Sequence, residues 1–253
     1  MFRKKFYYLI GLLLTLTSFI IPTISLADND GNTVQIGIEA VENYSTNPIY
    51  GTNACVSGLN DIVNDPNTNW GMKYHWSNSD VWEKDYRSVS LGGNDYRLTD
   101  DVDLAAYSGH GYSNPGFLLT SEEDEIWARR SKMRLGDRDL EWFLTYTCNF
   151  LNEYYAIGKI MNGLHMVCGY HSDMTITTNG GSKFAYYAKR GNSVRWSWYN
   201  YALDTQPSGN KAATFYHTSN KDDRLWGYGA VANDPTPFSQ DNSGYHFNYI
   251  TTD

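Results

Sequence analysis

Short apolar runs recur along this chain with helical patterns between them, and that alternation restricts the fold more than any other feature of the sequence. Residues 33–40, 102–107, 140–147, 164–170 and 212–218 read as strands, while 55–63, 150–161, 182–189 and 194–203 read as helices. Strands that alternate with helices imply an α/β fold with a mostly parallel sheet. At 253 residues and 41% hydrophobic content there is material for one sizeable core, and three cysteines are too few for a disulfide-stapled scaffold. No repeat or proline-rich linker divides the chain after Ala27, so 28–253 is expected to form a single domain.

The first 27 residues stand apart. Arg3, Lys4 and Lys5 precede an apolar stretch from Phe6 to Ile21, and Ser25-Leu26-Ala27 offers small residues at a cleavage site. This is the pattern of a secretory signal peptide. Gly11, Thr15, Thr17, Ser18 and Pro22 interrupt or end the apolar stretch, and no later run approaches the ~20 residues of a membrane span. Removing the three basic residues of this segment from 20 leaves 17 against 28 acidic ones, a net charge of −11. A chain so acidic is a poor partner for nucleic acid. The reading is a secreted protein with no membrane attachment once the signal is cleaved.

Two strand runs end in chemistry. Asp103-Leu104-Ala105-Ala106-Tyr107-Ser108 runs into Gly109-His110-Gly111, and Leu140-Glu141-Trp142-Phe143-Leu144-Thr145-Tyr146-Thr147 runs into Cys148. If these strands are parallel neighbours their ends lie roughly 5 Å apart, and His110 and Cys148 face each other at one sheet edge. The intervening 112–139 stretch is long enough for the crossover that parallel neighbours require. A helix starting at Phe150 would place its positive end near Cys148 and favour the thiolate.

The order of strand, His110-Gly111, strand and Cys148 resembles the caspase-like peptidase clan (clan CD), which includes caspases, legumains, gingipains and clostripains. More closely, Tyr107-Ser108-Gly109-His110-Gly111, Leu140-Glu141-Trp142, Gly163-Leu164-His165 and Gly169-Tyr170 resemble a bacterial secreted family of unknown function with this organisation. The resemblance covers roughly residues 33–218. It implies a three-layer α/β/α sandwich, a cysteine peptidase or related acyl-transfer activity on protein or peptide, His110 as general acid/base, Cys148 as nucleophile, and the amides of Gly111 and Cys148 as oxyanion donors. No metal or organic cofactor is implied. Thr147 departs from the small residue that many members place before the nucleophile, and no third residue to orient His110 is visible in the sequence.

Other residues read more plainly. Cys168 lies inside a strand and reads as core, and a Cys55–Cys168 disulfide is permitted but not demanded. His75, His165, His171, His217 and His246 show no ligand spacing for a metal, with His165 a core residue and His171 and Asp173 candidates for a specificity pocket that would favour a basic side chain. Asp100, Asp101, Asp103 and the acidic run 122–125 lack a calcium-loop pattern and read as solvated charge. Trp196, Trp198, Tyr199 and Tyr201 read as core packing rather than a sugar platform. The alternative from another class is a catalytically inactive secreted module of the same fold that binds glycan or protein. Amino-terminal sequencing of the exported protein should begin near Asp28; recovery of an intact Met1 form in the membrane fraction alone would instead show an anchor.

Overall fold

The computed structural model describes residues 33–120, 125–241 and 244–253. The signal segment and the Asp28 start lie outside these residues, as do Glu122, Glu123 and Asp124. Seven strands form one sheet in the order β2-β1-β3-β6-β7-β8-β9: β1 (Gln35–Ala40), β2 (Gly71–Ser77), β3 (Leu104–Ser108), β6 (Trp142–Tyr146), β7 (Met166–Tyr170), β8 (Lys211–His217) and β9 (Tyr245–Thr251). The first five are mutually parallel, and β8 and β9 add antiparallel at one side. A small antiparallel hairpin, β4 (Gly116–Leu118) with β5 (Trp127–Arg129), sits in the long β3–β6 connection.

Every residue of β3, β6 and β7 is buried, because parallel strands covered on both faces have no solvent side to mark with polar residues. One face carries Ile36, Ile38, Leu104, Ala106, Trp142, Leu144, Met166 and Cys168 against α1 (Thr52–Ser57), α2 (Asn60–Val63), α4 (Gly180–Ala188) and α5 (Val194–Thr205). The other carries Ala105, Tyr107, Phe143, Val167 and Phe215 against Phe117, Phe150, Ile157 and Ile160, the last two coming from α3 (Tyr154–Gly158) and the turn after it. The result is an α/β fold with a three-layer arrangement about a mostly parallel sheet.

Several boundaries differ from the sequence reading. The helix expected over 55–63 is two, α1 and α2, parted at Gly58 and Leu59, where Leu59 N–H donates to Val56 O and Asp61 N–H to Gly58 O in three-residue turns; Gly58 also lies so close to α4 that a Cβ there would come within 2.2 Å of the Ser182 nitrogen. The helix expected over 150–161 shrinks to α3. Phe150 is drawn into the core, stacked on Phe117 at 4.5 Å, and Leu151 N–H donates to Tyr170 O, so burial and a turn take residues that pattern alone would make helical. β2 and β9 are edge strands of mixed polarity that the sequence does not announce. Trp198, Tyr199 and Tyr201 are core, while Trp196 is exposed.

Acidic residues read as solvated are built into the fold. Asp100 and Asp103 are buried; Asp100 accepts from Gly136 N–H and Asp103 from Gln35 N–H. Burial, then the neighbouring Asp137, pushes the Asp100 carboxyl well above the usual range. Asp101 pairs with Lys73 and Arg138. Glu125 pairs with Arg129 at 2.7 Å, Arg87 at 3.4 Å and Lys132.

His165, just before β7, is a buried polar anchor away from the site edge. Its Nδ1 meets Asp223 Oδ2 at 2.8 Å and its Nε2 meets Asp234 Oδ1 at 3.1 Å. Burial would push the imidazole down, but the two carboxylates outweigh burial and hold its pKa above the ordinary value. Asp223 also accepts from Asn220 Nδ2 and Ala232 N–H, so His165 fastens the segment after β8 to the sheet. A raised histidine pKa stabilises the fold fully below the ordinary value of about 6.5 and loses that contribution as pH climbs through the raised value. His165→Ala should therefore cost about 3 kcal/mol in urea unfolding at about pH 5.5 and distinctly less at about pH 9. An equal gap at both pH values would mean a neutral His165.

Candidate active site

β3 and β6 are adjacent and parallel, with Ser108 opposite Tyr146. His110 and Cys148 each follow two residues later, so the backbone delivers both to one sheet edge. The two exits touch. A Cβ on Gly111 would lie 2.5 Å from Thr147 Cβ and 2.7 Å from Cys148 O, and a Cβ on Gly109 would lie 2.5 Å from the hydroxyls of Tyr107 and Tyr44. Both glycines of Gly-His-Gly are thus required by close approach.

His110 is half-buried and held on three sides. Its main-chain N–H donates to Tyr44 Oη at 2.9 Å, its ring packs on the Tyr44 ring at 4.6 Å, and its Nε2 lies 2.8 Å from Asn47 O. A carbonyl oxygen only accepts, so Nε2 carries the proton and Nδ1 is left with a lone pair in the neutral imidazole. Tyr44 is in turn held by Leu118 O at 3.0 Å and by the Tyr107 hydroxyl at 3.3 Å. Burial pushes the Tyr44 phenol up to about 12, and it stays a neutral hydrogen-bonding group.

Cys148 is also half-buried. Its Sγ accepts from Met174 N–H at 3.4 Å and donates to Met174 O at 3.6 Å. Burial pushes its thiol pKa up, the Met174 amide lowers it in part, and the charge of Asp173 raises it. The thiolate-favouring helix expected from the sequence is not there, since α3 begins at Tyr154. Among the described residues no hydrogen bond joins His110 to Cys148. Neither the Gly111 nor the Cys148 N–H donates to an acceptor among them.

Cys55 and Cys168 are fully buried, and all three cysteines are free thiols. Burial holds the Cys55 thiol up at about 12 and pushes Cys168 well above the ordinary thiol value. Asp173 reaches the same edge but accepts from Asn149 Nδ2 at 2.6 Å, pinning the turn after the cysteine, where Asn149 has φ 56°. His171 turns toward β9, stacked on Tyr249 at 5.6 Å, with Nδ1 donating to Leu151 O. A cavity of about 350 Å³ is lined by Ser45, Thr46, Leu118, Thr120, Ile126 and Tyr44, the residue whose ring packs on His110. No three His, Cys, Asp or Glu side chains converge to hold a metal ion among the described residues.

Tyr44, Asn47 and Met174 went unread in the sequence. Tyr44 and Asn47 follow β1 and Met174 follows β7, so the signal was positional: strands flanking the β3–β6 pair empty at the same edge. Residues 38–248 match a sequence family described as a domain of unknown function, DUF6345. The protein belongs to that family. No curated protein matches the chain. The match takes in all of the DUF6345 site, from Tyr44 to Met174.

Gly111→Ala tests the closeness of the two exits. It should destabilise the protein by about 1–3 kcal/mol in chemical denaturation, because Thr147 and the Cys148 carbonyl must move. An unchanged midpoint would mean that the exits are not in contact.

Proposed function

We propose that this DUF6345 protein is a secreted cysteine peptidase, or a closely related acyl-transfer enzyme, that works with a His110–Cys148 dyad. The observation that carries the reading is the tautomer: Asn47 O holds the proton on Nε2 of His110 and leaves Nδ1 a base at the edge shared with Cys148. His110 takes the Sγ proton as the sulfur bonds to the substrate carbonyl carbon. The carbonyl oxygen becomes an oxyanion that accepts from Gly111 and Cys148 N–H. On collapse the carbon–nitrogen bond breaks and the proton on His110 passes to the leaving amine. Water, losing a proton to His110, then attacks the thioester and releases the acid and the free thiol.

The raised thiol pKa fits a nucleophile activated only when substrate displaces the Met174 contact and brings the two side chains together. The same observation favours the alternative, a non-catalytic binding module of this fold, because a resting site without a thiolate is also what a retired enzyme keeps. Alkylation ranking among cysteines does not separate the two, since Cys55 and Cys168 are shielded by burial in either case. The dependence on His110 does. Turnover of a peptide library should vanish in Cys148→Ala, fall about 10²–10⁴-fold in His110→Ala, and persist in Cys168→Ala, with circular dichroism showing each variant folded. Wild-type rates in a folded Cys148→Ala would remove the nucleophile and the mechanism with it.

A further inference from the structure

The segments leaving the two site strands enclose a second cavity, of about 160 Å³, between Asn114 and Pro115 on one side and Glu153, Tyr155 and Lys159 on the other. Arg130 lines it, although its side chain is only 3% exposed. A guanidinium taken out of water needs acceptors for its N–H groups and a counter-charge. The chain supplies these in part. Nη1 donates to Phe150 O at 2.8 Å. Nη2 reaches Glu153 Oε2 only at 3.4 Å, and that glutamate is 55% exposed. Nε, fully buried, has no acceptor among the described residues.

The pattern of what is filled and what is open is specific. Nη1, on the far side of the guanidinium, is committed to the main chain two residues past Cys148. Nε–H and Nη2–H point the same way along the opposite edge of the plane, at the spacing of two carboxylate oxygens. That edge carries one long contact where two short ones fit. Lys159 adds a second cation to the lining, and Asn114, four residues past His110, adds an amide. In a mature chain of net −11, an under-compensated buried cation beside the candidate site is out of keeping with the rest of the surface.

We propose that this cavity binds a carboxylate of the substrate peptide, seated on Nε and Nη2 of Arg130 in place of the loose Glu153 contact. The proposal rests on the peptidase reading only for what bears the carboxylate: an acidic side chain or the peptide's free carboxyl terminus. It concerns a separate seat from Asp173, whose Oδ1 accepts from Asn149 Nδ2.

The Arg130 Nε–H resonance of the folded mature protein reports the seat directly. It is followed by NMR as N-acetylglutamate N-methylamide, N-acetylglycine and the neutral N-acetylglutamine N-methylamide are added. The first probe carries a side-chain carboxylate and the second a terminal one, so the tighter binder identifies the source. The better carboxylate should shift the resonance and bind at least about tenfold tighter than the neutral probe. Glu153→Gln, a change at an exposed position, should tighten it several-fold, and Arg130→Lys should weaken it about tenfold or more. Equal binding of charged and neutral probes, or no gain in Glu153→Gln, overturns the proposal whether or not Arg130→Lys folds. Because binding is read without turnover, a protein that binds carboxylate but cleaves no peptide would retain the cavity and lose the peptidase reading. One that cleaves peptides without binding either carboxylate would do the reverse.

Discussion

The pairing of β3 with β6 is the constraint on which the rest of the site depends. Parallel neighbours deliver their carboxyl ends to one edge at a fixed spacing, and the register that sets Ser108 opposite Tyr146 carries through to His110 and Cys148. Everything else at the edge follows from the same rule applied to adjoining strands. β1 supplies Tyr44 and Asn47 to grip the histidine, and β7 supplies Met174 to hold the sulfur. Gly111 lets the two exits meet without a side chain between them.

This scaffold does not pre-ionise the cysteine. The half-buried sulfur sits against a main-chain amide and carbonyl, with a carboxylate nearby, and its thiol is pushed up. What the scaffold does fix is the histidine: a neutral, buried tyrosine under its ring and a carbonyl on Nε2 define one orientation and one tautomer. On the proposed reading, that is a base with its proton fixed on one nitrogen, at the same edge as a protonated thiol. The 172–176 segment is tied to the turn after Cys148 through Asn149 and Asp173.

The fold was legible where burial wrote itself into composition. Strands such as β3 and β6, buried at every position, could be placed to within two residues, as could α4 and α5. Edge strands β2 and β9 were not, because one buried tyrosine in β2 leaves no pattern to read. The segment after Cys148 misled for a different reason: Phe150 and Leu151 have helical neighbours in sequence but core neighbours in space, and tertiary burial won over propensity. The dyad's placement at one edge followed from strand order alone. Its partners did not, since Tyr44, Asn47 and Met174 act through a hydroxyl, two carbonyls and an amide that residue type does not advertise.

A peptidyl acyloxymethyl ketone panel of varied side chains, with adducts mapped by mass spectrometry, tests the central claim most directly. Such a probe needs both a nucleophilic sulfur and a base that has prepared it. The account predicts a single adduct on Cys148 for at least one member of the panel, lost in a folded His110→Ala protein. Labelling of Cys148 to the same extent in wild type and His110→Ala, or no adduct across the whole panel, would contradict it.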